Sequence, residues 1–221
     1  IVEKMPYLQS LKTKIIINVA GTVEDGFAEC VQRLEDVDGI VGYELNFSCP
    51  NVKHGTSYST DPTVAERITR DVRRLTKRLV MAKLTPNIAS ISEIGLAVQN
   101  GGADAVSAIN TVVGMSIDLK TQRPKLATIT GGYSGPAIKP IALAKVYELA
   151  RDLSIPVVAI GGIATAEDAL EFLIAGACAF QVGTANFYQP DATIKIKKGL
   201  ESYCKERNIF KLKDLIGSLK K

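Results

Sequence analysis

The chain has 221 residues, 46% of them hydrophobic and 23% charged, a mixture that supports a packed globular core and excludes a disordered or fibrous polymer. Its net charge of +4 is dispersed apart from Lys211, Lys213, Lys220 and Lys221, and no stacking aromatics interleave with those lysines, so no nucleic-acid partner is expected. No apolar run reaches membrane-spanning length and residues 1–10 lack a signal-peptide pattern, so the expectation is one soluble, cytoplasmic domain over residues 1–221 with no membrane partner.

Short β-rich runs alternate with helical patterns, which predicts a parallel α/β fold. The predicted strands, in chain order, are Ile15–Ala20, Val41–Asn46, Leu79–Leu84, Ala105–Asn110, Val157–Ile160 and Ala179–Val182. Between the second and third, Asp61-Pro62 supplies a cap and a first-turn proline, and Val64, Ile68, Val72 and Leu75 recur at helical spacing as a face that covers the sheet. Residues 114–135 form a polar excursion, longer than most barrel loops, in which Asp118 to Pro124 reads as a hairpin turn; it is either functional or passive. Thr165 caps a further helix with Asp168 three residues on, Leu170, Leu173 and Ile174 give its apolar face, and Gly176 ends it.

Polar or glycine residues follow every predicted strand, as in a (β/α)8 barrel, where the active site is assembled at the C-terminal strand ends. Gly161-Gly162 and Gly183-Thr184 follow the last two strands and place backbone amides where such barrels bind phosphate, which implies a phosphorylated cofactor; tight turns alone are the alternative use of these glycines. Six strand–helix units are two short of the eight, and the opening Ile1 to Leu8 reads as part of a helix and its exit, so two N-terminal βα units are expected to be missing from the sequence. An open barrel of six units is the alternative, with exposed parallel edges that would make this chain alone prone to aggregate.

The densest cluster of chemistry is Glu44 to Gly55, where a buried-strand pattern runs into a polar loop carrying one thiol, Cys49, between Ser48 and Pro50. A thiol there can take a proton or attack a carbon, and the flanking carboxamides Asn46 and Asn51 can orient a planar polar substrate. On its own, Cys49 reads as an inert small core residue. Cys30, Cys49, Cys178 and Cys204 lie far apart without CxxC or His spacing, so no metal or iron–sulfur site is expected in this chain. Lys83 lies within an apolar strand, where an unpaired ammonium is expensive to bury, and it reads either as functional or as a snorkelling side chain. His54, the one histidine, reads as a loop residue or as a proton-transfer group; Tyr58 and Ser59 follow in the same loop.

The Glu44–Gly55 string resembles the active-site loop of class 1 dihydroorotate dehydrogenases, and Asn51-Val52-Lys53-His54-Gly55 resembles the class 1B branch. The resemblance runs over nearly the whole chain and includes Ile17 to Gly21, Lys83 to Asn87, Ile109-Asn110-Thr111, Ile129 to Pro140 and Gly183 to Phe187. It implies a (β/α)8 barrel holding FMN that oxidises dihydroorotate to orotate in pyrimidine (UMP) biosynthesis. Cys49 would be the catalytic base. Asn18, Asn46, Lys83, Ile109, Gly135, Gly161, Gly162, Gly183 and Thr184 would bind FMN, with Lys83 near N1 and O2 of the ring and the last four residues around the phosphate. Asn46, Asn110 and Thr111 would bind substrate. The class 1B resemblance further implies a separate iron–sulfur subunit carrying FAD and a 2Fe–2S cluster, which reduces NAD, around a homodimeric core of a heterotetramer. Fumarate-linked class 1A enzymes and dihydropyrimidine dehydrogenase-like barrels share the cysteine loop, and a non-catalytic flavin- or partner-binding remnant is the reading from another class.

Overall fold

The computed structural model describes residues 3–21, 23–47, 58 and 60–220. They fall into two compact units, the first comprising Ile1–Leu84, Ser92–Ser107 and Leu153–Pro156, the second Thr85–Ile91, Ala108–Asp152 and Val157–Lys221.

The first unit carries helix α1 (Met5–Ser10), strand β1 (Ile15–Val19), α2 (Asp25–Leu34), β2 (Ile40–Asn46), α3 (Pro62–Leu75), β3 (Leu79–Leu84), α4 (Ile91–Asn100) and β4 (Ala105–Ala108). The strands lie in the order β1-β2-β3-β4, and the β1–β2 and β2–β3 pairs are parallel. Strands flanked by helices are covered on both faces and read as almost unbroken apolar runs. In β2 all but Val41 and Asn46 are buried. Gly42 is required where β2 meets β3, because a Cβ there would stand 2.6 Å from the Leu79 Cβ. Helix α3 starts as its sequence dictates: the Asp61 carboxylate accepts from the N–H of Thr63 at 2.9 Å and of Val64 at 3.3 Å, with Pro62 in the first turn. Ile68 and Val72 are buried as expected, but the face runs through Ala65 and Thr69 as well, and Leu75 is 39% exposed. The helix ends at Leu75 and the chain turns extended at Thr76, which takes the last apolar residue off the sheet. Phe27 and Val31 of α2 are fully buried, each stabilising the unit by roughly 1.5–3 kcal/mol relative to exposure.

The second unit carries two small antiparallel pairs, β5 (Val112–Met115) with β8 (Thr130–Tyr133) and β6 (Ile117–Asp118) with β7 (Arg123–Pro124). The expected hairpin at Asp118–Pro124 is therefore present, and the Asp118 carboxylate shapes it by accepting from the N–H of Lys120 and Thr121. These strands present Val113, Met115 and Tyr133 to solvent, and Leu119 at the turn is 88% exposed. A 3₁₀ turn (Pro136–Ile138) leads into α5 (Lys139–Asp152), followed by β9 (Val157–Ala159), α6 (Ala166–Ala175), β10 (Ala179–Phe180), α7 (Ala185–Tyr188), α8 (Ala192–Glu206) and a second 3₁₀ turn (Leu212–Leu215). Strands β9 and β10 are parallel. Helix α6 has the predicted reciprocal cap between Thr165 and Asp168, and Gly176 closes it at φ 120°.

Parallel strands alternating with helices, β1–β4 in the first unit and β9 and β10 in the second, make the fold class a partial (β/α)8 barrel, as the alternation predicts. Among the described residues no helix is long and apolar enough to cross a membrane.

Candidate functional site

Two groups of predicted residues are assembled, one in each unit. In the first, the parallel ladders set the levels: Asn18 of β1 pairs in register with Glu44 of β2, and Asn46 of β2 with Lys83 of β3. Because side chains two apart on a strand share a face, Glu44 and Asn46 point the same way. The Asn18 amide nitrogen donates to Glu44 Oε2 at 2.6 Å, and the Asn46 amide nitrogen donates to Asn18 Oδ1 at 3.4 Å. Ser107 of β4 donates to the other oxygen, Glu44 Oε1, at 2.7 Å. Asn18, Asn46 and Lys83 are thus collected at the strand ends. Lys83 is partly buried and makes no ion pair among the described residues.

The catalytic candidate Cys49 lies outside the described residues, as do Ser48, Asn51, His54 and Ser59. The described residues that flank it are firmly placed. Phe47, next after β2, is fully buried with its ring edge-on to Phe27, centroids 5.5 Å apart. Tyr58 is buried and meets Phe27 in the same way at 5.6 Å. One ring of α2 therefore anchors the chain on both sides of residues 48–57.

In the second unit the glycines gather at the ends of β9 and β10. Ala159 is in register with Phe180, and the Gln181 N–H still reaches the Ala159 carbonyl, so Gly161-Gly162 and Gly183-Thr184 follow neighbouring strands at nearly the same level. Gly161 has φ 126°, and a Cβ on it would stand 3.1 Å from Ile109 Cγ1, which brings the predicted Ile109 and Gly161 together. Gly162, at φ 82°, lies against the start of α5. At Gly183 a Cβ would meet nothing within 4 Å, which leaves its backbone approachable. Gly135, at φ 96°, is 3.8 Å from Thr184 Cγ2 by the same measure, and the Thr184 hydroxyl donates to Ser134 Oγ at 2.9 Å. Asn110 uses its side-chain oxygen locally, accepting from the Thr111 N–H at 2.8 Å. The Thr111 carbonyl receives the Asn87 amide at 3.0 Å.

Sequence reading missed Glu44 and Ser107. Both are buried, and their joint role depends on a cross-strand meeting of residues 63 apart. The available signal was the i, i+2 placement of Glu44 and Asn46. Asn87 was also passed over; its Oδ1 accepts from Val113 N–H at 3.0 Å while its amide nitrogen serves Thr85 Oγ1 and the Thr111 carbonyl, each at 3.0 Å.

A cavity of about 580 Å³ lies at the opposite end of β3, lined among others by Arg73, Arg74, Lys77 and Arg78. Two of its arginines are structural: Arg73 binds Asp104 and backbone carbonyls, and Arg78 binds the carbonyls of Leu34 and Glu35 and the Tyr43 hydroxyl.

A family model described as dihydroorotate dehydrogenase matches residues 2–204. The catalytic subunit of dihydroorotate dehydrogenase B (NAD(+)) from Geotalea uraniireducens is 46% identical over 98% of this chain and 72% of its own length. The corresponding subunit from Pelobacter propionicus is 45% identical over 99% of this chain and 72% of its own. A Solibacter usitatus protein, provisionally named dihydroorotate dehydrogenase A (fumarate), is also 45% identical, over 100% of this chain and 73% of its own.

Proposed function

This chain belongs to the dihydroorotate dehydrogenase family, and from that membership we propose that it oxidises dihydroorotate to orotate in pyrimidine biosynthesis, with FMN as its cofactor. The observation that carries the reading is the end of the β2–β3 ladder, where the Asn46 carboxamide stands in register with the Lys83 ammonium. A planar ring with hydrogen-bonding edges and a region that becomes negative when reduced matches that donor set.

The residues fit FMN in two respects. An ammonium without an ion-pair partner among the described residues, part-buried in a strand, is stabilised by an anionic ligand region. The open approach to Gly183, beside the Gly161-Gly162 pair, accepts a phosphate against backbone amides. Asn18, Asn46, Lys83, Ile109 and Gly135 would hold the flavin ring and Gly161, Gly162, Gly183 and Thr184 its phosphate. When bound, FMN supplies a two-electron acceptor for hydride from substrate C6. Cys49, three residues beyond Asn46, takes the C5 proton; a thiol of ordinary pKa about 8.5 is near enough to neutrality for general-base action. Asn46, Asn110 and Thr111 would orient the pyrimidine ring.

For electron disposal the reading follows the relatives named as NAD(+)-linked catalytic subunits: a separate subunit with FAD and a 2Fe–2S cluster carries electrons to NAD, and two copies of this chain form the core of a heterotetramer. The fumarate-linked name at equal identity supports the second reading, direct reduction of fumarate. Purified full-length protein, tested for released FMN and for dihydroorotate-dependent reduction of a dye acceptor, decides the first point. Colourless protein that takes up no added FMN and reduces no dye overturns it. Reduction of fumarate in place of NAD, with and without the flavoprotein subunit, selects the second reading.

A further inference from the structure

The chain between β9 and α6 is held on two sides from Gly161 to Thr165. Gly161 and Gly162 lie against the start of α5: a Cβ on Gly161 would stand 2.9 Å from Ala142 Cβ, and one on Gly162 2.7 Å from the Lys139 backbone nitrogen. Ile163 is buried. Ala164 and Thr165 are tied to α6, their N–H groups donating to Asp168 Oδ2 at 3.0 and 2.9 Å. One side chain joins the two holds. The Lys139 ammonium meets Asp168 Oδ1 at 2.8 Å and donates to Glu171 Oε1 at 2.8 Å. The residue whose backbone walls Gly162 thus also grips the carboxylate that fastens Ala164 and Thr165. Its charge is matched inside this cluster by two carboxylates, which leaves it a mechanical role, setting the spacing between the starts of α5 and α6.

We infer that Lys139 is a positioning residue that, by bolting Asp168 to the start of α5, holds the Gly161-Gly162 backbone at the setting an FMN phosphate needs. The inference rests on the proposed phosphate site at these glycines. A phosphate is held best by backbone N–H groups already in place, because the donors need not reorganise on binding. Without the ammonium, Asp168 still caps α6 through Oδ2, so the helix keeps its start, but the link to α5 is gone and the connection between the helices can shift.

The test uses full-length protein carrying Lys139→Met, which keeps an unbranched apolar stem and removes the ammonium. FMN affinity is read by flavin-fluorescence titration of apoprotein, and the phosphate environment by the phosphorus NMR resonance of FMN bound at saturation. Affinity is expected to fall about tenfold, within the range for residues coupled through one network, and the resonance to move from the parent's position. An ion pair that only stabilised the fold would lower the urea midpoint and leave the resonance where it is; an unmoved resonance or an unchanged affinity overturns the inference. Lys139→Met also leaves two carboxylates uncompensated. The double variant Lys139→Met/Glu171→Gln restores the net charge of the Lys139–Asp168–Glu171 cluster without restoring the link, and so separates position from charge. It is expected to keep the weakened affinity and the displaced resonance; return of either to the parental value assigns the effect to charge and overturns the inference. If the single variant does not fold, the double supplies the same readings. Parent protein that binds no FMN, or binds it with the resonance of free FMN, overturns the phosphate site itself, a result distinct from a shifted parental resonance that Lys139→Met leaves unmoved.

Discussion

Gly162 stands so close to Lys139 that a Cβ on it would be 2.7 Å from the Lys139 backbone nitrogen, nearer than unbonded atoms pack. Its φ of 82° is in the left-handed region, so substitution is opposed both by the backbone and by the start of α5. Gly162→Ala should lower stability by roughly 1–3 kcal/mol, read as a fall in the urea midpoint, and should weaken FMN binding with it. An unchanged midpoint would contradict the geometry.

Gly183 gives the complementary result. A Cβ there meets nothing within 4 Å. Gly183→Ala should leave the urea midpoint within about 0.5 kcal/mol of the parent, as for surface changes that touch nothing, while FMN affinity falls because the methyl group occupies the approach to the backbone. Equal loss of stability and affinity, or loss of neither, would remove Gly183 from the phosphate site.

Cys49→Ala should keep FMN and lose about 10²–10⁴ in dihydroorotate oxidation, the usual contribution of a general base. Cys49→Ser should recover part of the rate at high pH. Turnover of the alanine variant near the parent rate would assign the proton transfer elsewhere.

The alkaline limb of stability should carry the signature of Tyr43. Its hydroxyl donates to Glu35 at 2.7 Å and receives Arg78 at 3.2 Å. Burial, then the bond to Glu35, push its pKa up to about 12 from 10.0, although Arg78 pulls the other way. Since the folded value lies above the unfolded one, the neutral phenol favours the native state; this stabilisation is complete below about pH 10 and is lost as pH rises to about 12. Tyr43 should ionise late in an ultraviolet titration, and Tyr43→Phe should remove its late step.

The acid limb should report Asp168. Burial raises its pKa, but the Lys139 ammonium at 2.8 Å and the N–H groups of Ala164 and Thr165 outweigh burial and hold it below the usual carboxylate value. A depressed native pKa gives stability that is present above the unfolded value of about 3.9 and is lost as pH falls through the folded one. Asp168→Asn should cost about 1.5–3 kcal/mol at neutral pH, the range for hydrogen bonds to a charged group, and flatten the urea midpoint against pH below 5. A slope equal to the parent's would show that the pair contributes nothing.

The strands were legible because parallel-sheet strands are apolar on both faces, and β3 was bounded correctly at Leu79 and Leu84. The fourth strand was read to Asn110 but ends at Ala108, and Asn110 beyond it uses its side-chain oxygen on the next backbone N–H. The caps of α3 and α6 could be read because capping is local, settled within four residues. Glu44 could not, because a carboxylate in a strand looks the same whether it faces water or a serine 63 residues away. Register across β1, β2 and β4 decides that, and register is a property of the assembled sheet.

Asn87 has a mechanical consequence. By grasping Thr85, the Thr111 carbonyl and the Val113 N–H with a single amide, it welds the turn that follows β3 to the root of the excursion that begins at β5. The excursion is then a lever whose fulcrum lies at residue 87. Aspartate cannot donate and an aliphatic side chain can neither donate nor accept, so a change at this position unfastens the root of the arm that carries Leu119 without altering a residue of it.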